Sequence, residues 1–233
     1  MNLYYITGAS SGIGFAMAEL LLENEDNMVI GISRSCTIVH PRYKHHALDL
    51  STPWEEVIFE KPKYAPKKVV LINNAGAIGP ITPLRQHSEE DIHSVYYLNV
   101  IAPTILSRQF MLVFSDVSAE CIVLNISSGA GKYPIHSWST YCSSKAALDM
   151  LSLTADMEHP NVKFYSVAPG IVDTPMQQEI RMADKAHFPE LERFIEYKEN
   201  GDLSSSEEVA RKYLNFLKNS HKYKEVIYSV RDF

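Results

Sequence analysis

Tyr4-Tyr5-Ile6-Thr7-Gly8-Ala9-Ser10-Ser11-Gly12-Ile13-Gly14 lies almost at the start of the chain. It reads as an apolar strand, a tight turn and the opening of a helix. Glycine is needed where the backbone takes positive φ or must come close to a pyrophosphate. A helix N-terminus supplies free N–H groups and a favourable dipole for the anion. Gly8, Gly12 and Gly14 are spaced Gly-x-x-x-Gly-x-Gly, which differs from the common Gly-x-Gly-x-x-Gly fingerprint, so the turn alone is a weak signal.

The rest of the chain strengthens that signal. Short β-rich apolar runs recur at Leu3–Ile6, Met28–Ile32, Lys68–Ile72, Cys121–Ile126, Val162–Val167 and Val226–Val230. Several are apolar almost without alternation, as expected of strands covered on both faces. Between them lie helical patterns over Ile13–Leu22, Ser88–Phe114, Trp138–Met157 and Ser206–Leu217, the last with a plausible capped start at Ser206-Glu207-Glu208-Val209. This rhythm predicts an α/β fold of Rossmann type, a doubly wound parallel sheet with helices on both faces. Ligands in such sheets bind at the carboxyl ends of strands, which brings the turns after Ile6, Ile32, Ile72, Ile126 and Val167 to one rim.

The second strand ends Gly31-Ile32-Ser33-Arg34-Ser35. The acidic residue expected about 20 positions after the glycine turn, on a ribose 2′-hydroxyl, is missing. An arginine with flanking hydroxyls suits a 2′-phosphate, which a planar guanidinium can hold bidentately and a carboxylate would repel. Ser33 and Arg34 therefore favour NADP(H) over NAD(H). The bland alternative is that Arg34 is a solvent-exposed loop residue.

Tyr141 and Lys145, in Tyr-Cys-Ser-Ser-Lys, share one helical face. A free phenol titrates near pH 10, so as a proton donor to a developing alkoxide it works better if that value falls, and a neighbouring ammonium favours the phenolate. Ser128, on the loop after the Cys121–Ile126 strand, can donate to a substrate oxygen where charge develops. Each residue alone is more often packing, a solvated charge or a turn. Together with the dinucleotide turn they read as an acid, its activator and an orienting hydroxyl.

The 233 residues suit one domain, with no Gly/Ser/Pro-rich linker dividing them. The net charge of −6 and the absence of a dense basic run argue against nucleic-acid and anionic-membrane surfaces. Lys61–Lys68 is short and proline-broken, a solvated loop. No apolar run approaches the roughly 20 residues that span a bilayer, and the first strand begins by Leu3, so a cytoplasmic protein is expected. Three dispersed cysteines exclude a disulfide framework and a metal-type Cys-x-x-Cys spacing; Cys121 is a core filler, and Cys142 lacks a partner of the Cys/His kind. His40, His45, His46 and His87 show no metal-ligand spacing and read as surface or loop residues, so no metal is expected. Ser127-Ser128-Gly129 lacks the Gly-x-Ser-x-Gly elbow of an α/β-hydrolase, and no phosphate-binding Gly-x-x-x-x-Gly-Lys-Ser/Thr loop occurs.

Over nearly its whole length the chain resembles the classical short-chain dehydrogenase/reductase family. The matching motifs are Thr7-Gly8-x-x-x-Gly12-x-Gly14, Asn73-Asn74-Ala75-Gly76, Asn99 in a long helix, Ser128, Tyr141-x-x-x-Lys145, and Pro169-Gly170 with Thr174 beyond. Within the family, benzil reductases and sepiapterin reductases are the most similar, through Asn125-Ile126-Ser127-Ser128, Trp138 and Asp173-Thr174-Pro175-Met176-Gln177-Gln178. The benzil type is the stronger likeness.

The resemblance implies that Gly8, Ser11, Gly12 and Ile13 line pyrophosphate and ribose, with Gly14 in the same turn. Asp49 and Leu50, after a third short strand, would contact the adenine. Asn74, Ala75 and Gly76 would support the cofactor ribose. Pro169, Gly170, Val172 and Thr174 would hold the nicotinamide end. Lys145 would also bind the nicotinamide ribose, and Asn99 would hold a water in a proton relay. The expected activity is NADPH-dependent reduction of a ketone or α-dicarbonyl, with Ser128, Tyr141, Trp138 and Met176 at the substrate. A non-catalytic NADP(H) sensor and a pterin reductase are the alternatives. Against the second, the position matching the pterin-anchoring aspartate of sepiapterin reductases is Ser229. Residues 176–202 would form a helical lid, and the Ser88–Phe114 and Trp138–Met157 helices would pair in a homodimer or homotetramer.

Overall fold

Leu3 and Tyr5 face one side of the first strand, Tyr4 and Ile6 the other, and all four are buried. Side chains alternate along a strand, so one that is apolar at every position must be covered on both faces. The computed structural model, which describes residues 1–56 and 58–233, shows how. Seven parallel strands run β1 (Asn2–Thr7), β2 (Asn27–Ser33), β3 (Tyr43–Ala47), β4 (Lys68–Asn73), β5 (Glu120–Ile126), β6 (Val162–Ala168) and β7 (Ile227–Ser229). Their order across the sheet is β3-β2-β1-β4-β5-β6-β7.

The helices are α1 (Gly12–Leu22), α2 (Glu89–Tyr96), α3 (Ala102–Phe114), α4 (Ser139–Glu158), α5 (Pro175–Arg181), α6 (Leu191–Glu199) and α7 (Ser206–Lys218). On one face of the sheet α1 and α7 bury Met17, Leu21, Tyr213 and Phe216 against Ile6, Val70 and Leu124. On the other, α3 and α4 bury Leu106, Phe110, Phe114 and Ala155 against Tyr5, Leu71 and Val123. The chain is thus a single Rossmann-type α/β domain with helices on both faces. It winds outward from β1 to β3 and then returns to β4, so the strand order reverses at the carboxyl ends of β1 and β4, where such sheets bind ligands. Thr7 is level with Ile32, Asn73 with Asn125 and Ile126 with Val167, which sets the loops beyond them on one rim, as expected.

Several local expectations need correction. The third short strand that the resemblance implied ahead of Asp49 is Tyr-Lys-His-His-Ala, which has no apolar run and forms β3 because edge pairing with β2 supplies what the side chains do not. His45 and His46 therefore sit on a strand, not in a loop. The cap of α7 is Ser205, one residue earlier than read: its hydroxyl accepts the Glu208 N–H (3.1 Å) and Glu208 Oε2 accepts the Ser205 N–H (2.8 Å). The stretch from Ser88 to Phe114 is not one regular helix. A π-helical turn over Tyr97–Ile101 interrupts it, with the Ala102 N–H reaching back five residues to the Tyr97 carbonyl. Glu89–Phe114 is long and apolar enough to cross a bilayer by length and composition, at a mean hydropathy of 1.2, yet Leu106, Phe110 and Phe114 are spent on the sheet.

Candidate active site

Thr7 ends β1 with its hydroxyl buried, and that oxygen accepts the N–H groups of both Asn74 and Ala75 at 2.9 Å. Asn74 returns the contact, its side-chain amide donating to the Thr7 (3.0 Å) and Gly8 (3.2 Å) carbonyls. The turn after β1 is thereby locked to the turn after β4. Gly8 has φ +67°, and a methyl there would lie 3.1 Å from the Ala75 Cα. Gly14 plays a different part from the one expected. A methyl on it would meet the Gly8 carbonyl oxygen at 2.4 Å, so it lets α1 close against the turn and does not line the cleft beyond. Ser11 is the N-cap of α1 in extended conformation with no side-chain capping bond, and no acidic residue occupies the first turn. The free N–H groups and the positive end of the helix dipole face the rim.

At the end of β2, the Ser33 hydroxyl donates to the Ser35 carbonyl (2.8 Å), and His45 Nε2 lies 2.9 Å from the Ser33 carbonyl oxygen. This pins the turn that carries Arg34, whose side chain is exposed at the cleft edge. Asp49 lies on the same edge. Its carboxyl is held below its ordinary range first by the Ser51 hydroxyl (2.6 Å) and then by the Ser51 N–H, with a smaller contribution from the Arg34 charge.

At the other end, α4 presents Tyr141 and Lys145 one turn apart, both buried, with the ammonium 5.8 Å from the centre of the phenol ring. Lys145 Nζ donates to the Ile126 carbonyl at 2.9 Å, which ties the helix to the end of β5. Ser128 comes next in extended conformation, its hydroxyl accepting the Ala130 N–H at 3.2 Å. The expected depression of the phenol pKa is not what the protein groups alone produce. Burial pushes Tyr141 up to about 12; the adjacent Ser128 hydroxyl pulls it down and Cys142 adds to the rise. Burial likewise drops Lys145 to about 8, opposed by the charge of Asp149. Desolvation disfavours both charged forms, and for Tyr141 it outweighs the hydrogen bond from Ser128.

Asn99 does not line the cleft. It is fully buried on the π-helical turn, accepting the Ala77 N–H (3.0 Å) and donating to the Ala77 carbonyl (2.9 Å) and the Ser144 hydroxyl (3.0 Å). Gly76 lies between it and Lys145.

One cleft of ≈ 1020 Å³ joins the two ends. Its wall contains Gly8, Ser11, Gly12 and Ile13, then Ser33, Arg34, Asp49 and Leu50, then Asn74, Ala75 and Gly76. It continues through Ser128, Tyr141 and Lys145 to Pro169, Gly170, Val172 and Thr174, and ends at Trp138 and Met176. Every residue expected at the catalytic, cofactor or substrate site except Gly14 and Asn99 is therefore brought to one surface. Trp138 borders it mostly covered, stacked on Phe188 (centroids 5.7 Å, 21°) and edge-on to Tyr141 (5.7 Å, 89°). Its indole serves the packing of this end more than it offers a free face.

The family profile described as short chain dehydrogenase matches residues 54–185. The chain belongs to the short-chain dehydrogenase family. It is 36% identical to the benzil reductase ((S)-benzoin forming) of Bacillus subtilis over the full length of both chains. It is 38% identical to the enzyme of the same name from Bacillus cereus, covering 93% of this chain and 94% of the other. The sepiapterin reductase of Meriones unguiculatus is 31% identical, over 91% and 89%. Among solved structures, a short chain dehydrogenases/reductase from Saccharomyces cerevisiae superposes with a TM-score of 0.84 at 25% identity, over 99% of this chain and 96% of that one. The KRED1-Pglu enzyme does so at 0.82 and 27%, over 94% and 95%.

As a short-chain dehydrogenase the chain is an oxidoreductase that uses a nicotinamide cofactor, and its own atoms fit one. The open N-terminus of α1, the side-chain-free surface at Gly8 and Gly12, and the cleft running on to Lys145 match an extended dinucleotide. Sequence reasoning missed Ile78 and Leu98, on either side of the Asn99 contact, Glu190 and Arg193 on and beside α6, and Arg231 near Gly170, all on the cleft wall. Ile78 stands two residues beyond Gly76 and was within reach of the loop argument. Arg193 and Arg231 carry no local signal, since surface arginines are ordinary on helices and at termini.

Proposed function

We propose that this short-chain dehydrogenase is an NADPH-dependent carbonyl reductase acting on a ketone or α-dicarbonyl. The observation that carries the reading is the convergence of Ser128, Tyr141 and Lys145 on one stretch of a cleft that begins at the glycine turn. Reduced nicotinamide supplies the hydride when bound. Tyr141 gives its phenolic proton to the substrate oxygen, and Ser128 donates a hydrogen bond to that oxygen as charge builds. Lys145 has one N–H engaged by Ile126, and its other two are available to the ribose hydroxyls and to Tyr141. Asn99, with both amide hydrogens donated to Ala77 and Ser144, is a positioning residue behind them.

The preference for NADPH rests on Arg34 and Ser33 at the end of β2. The likeness to benzil reductases at 36–38% identity supports an aromatic α-dicarbonyl. So does the cluster of Ile78, Trp138, Phe188, Phe194 and partly buried Met176 around the far end of the cleft. Residues 176–202, which carry α5 and α6, act as its lid. Asp173 holds them, 2.6 Å from Lys198 Nζ and 3.7 Å from Arg181 Nη2. Exposed Ile101, Leu112, Met150, Leu153 and Met157 on α3, α4 and the π-helical turn support self-association as a dimer or tetramer. The proposed site of action is the cytoplasm.

The test is NADPH oxidation with a panel of aromatic diketones, quinones, sepiapterin and simple aldehydes, for the wild type and Tyr141→Phe. Turnover with a diketone is expected to collapse in the variant while NADPH binding persists. Near-normal turnover in Tyr141→Phe removes the acid role, and NADPH binding without turnover on any carbonyl makes the protein a sensor.

A further inference from the structure

Tyr141, Lys145 and Asp149 succeed one another at intervals of a single helical turn, so α4 carries three polar groups in one inward-facing stripe. The first two belong to the proposed chemistry; Asp149 does not. Its Oδ1 accepts two buried hydroxyls, Ser127 at 2.5 Å from the end of β5 and Ser166 at 2.6 Å from β6. Its Oδ2 lies over Gly131, where a methyl would come within 3.2 Å of it and within 3.0 Å of the Lys145 carbonyl carbon. The missing side chain at Gly131 is what allows the loop after Ser128 to close onto this part of the helix.

Two neutral hydroxyl donors would be served as well by an asparagine oxygen, so the hydrogen bonds alone do not call for a charge. Lys145 does. The other titratable group against it is Tyr141, on its own helix, and Tyr213 of α7 stands behind Tyr141 with its phenol bonded to the Val167 carbonyl (2.9 Å). The opposite elements present Ser127, Ser128, Ser166 and Asn99, all neutral. We propose that Asp149 is a positioning residue that fixes the Ser127–Ser128 strand end and supplies the counter-charge that keeps the buried Lys145 ammonium protonated. Burial works against that ammonium, and the Asp149 charge acts in its favour. A carboxylate fastened by two hydroxyls holds its place without a mobile counter-ion.

The proposal rests on the reductase reading, in which Lys145 binds the ribose as a cation. Its test is the pH dependence of NADPH binding, monitored by nucleotide fluorescence, alongside that of kcat, in wild type, Asp149→Asn and Ser166→Ala. Without the carboxylate, the alkaline limb of both profiles is expected to move to lower pH by about one unit or more. Ser166→Ala, which removes a hydroxyl and keeps the charge, is expected to leave the limb in place. A limb that is stationary in Asp149→Asn, absent from the wild-type binding profile, or moved equally by Ser166→Ala overturns the proposal. Asp149→Ser provides the same neutral replacement if the asparagine variant does not fold. Because the binding profile needs no turnover, a wild type that reduces no carbonyl defeats the reductase reading while this measurement still decides the role of Asp149.

Discussion

Gly76 lies directly against Lys145: a methyl at Gly76 would sit 3.5 Å from the lysine ammonium and 3.2 Å from Asn99 Oδ1. The second distance is tighter than ordinary contact, and Asn99 is already held by Ala77 on both its oxygen and its nitrogen. Gly76→Ala is therefore expected to fold but to push the amide and the ammonium apart, lowering kcat/KM roughly tenfold to a hundredfold through misplacement alone. Thermal melting within a few degrees of wild type, together with that loss, would separate displacement from unfolding; unchanged kcat/KM would show that the site tolerates the methyl.

Lys145 makes stability depend on pH in an unusual direction. Its pKa in the fold is about 8 against an ordinary 10.5, so between those values the unfolded chain binds more protons and stability rises with pH. The buried charge costs on the order of 3 kcal/mol below that window, and the cost fades as pH climbs through it. Lys145→Met should be inactive, and its stability relative to wild type should decline steadily from about pH 8 to about pH 10.5 in urea titrations. A difference independent of pH would mean that the lysine is not desolvated as the geometry indicates.

Arg34 is exposed, on a turn pinned by Ser33 and His45, and charge-assisted bonds to a 2′-phosphate would each contribute about 1.5–3 kcal/mol. Arg34→Ala is expected to raise the KM for NADPH roughly tenfold to a hundredfold while leaving that for NADH nearly unchanged. Equal losses with both nucleotides would assign Arg34 to the turn and not to the phosphate.

Thr7→Val keeps the shape of a buried side chain and removes the oxygen that accepts two backbone N–H groups. Leaving buried donors without a partner costs about 1–3 kcal/mol each, so a fall of a few kcal/mol in unfolding free energy is expected, with weaker nucleotide binding as the two turns part. Calorimetry with and without nucleotide reads both effects. A melting temperature equal to wild type would show that water replaces the hydroxyl.

The sheet and the cleft were legible because they depend on features with a period or a fixed spacing. Leu3–Ile6 and Val69–Ile72 declare strands buried on two faces, and the glycine turn declares a phosphate-sized gap. Where the sequence misled, the deciding interaction was made elsewhere in the chain. Tyr43–Ala47, the third short strand that the resemblance implied, has no apolar run to declare it and becomes a strand because β2 offers an edge. Ser205 takes the cap over Ser206 because Glu208 reaches back to it. Trp138 keeps its place on the cleft wall but is mostly covered, because Phe188, fifty residues later, stacks on it. Tyr141 resists ionisation because burial around it is set by the fold, which the i, i+4 spacing of an ammonium cannot reveal.

The π-helical turn at Tyr97–Ile101 holds one residue more than a regular turn, and Asn99 is at its middle. Loss of a single residue from this segment would let the helix close up as an uninterrupted α-helix, with the two flanking parts in nearly their present register but without the widened turn that carries Asn99. Leu106, Phe110 and Phe114 would stay on the sheet, whereas Asn99 would be drawn off Ala77 and Ser144. The extra residue therefore serves the site and not the core, and a one-residue deletion there should cost activity more than it costs stability.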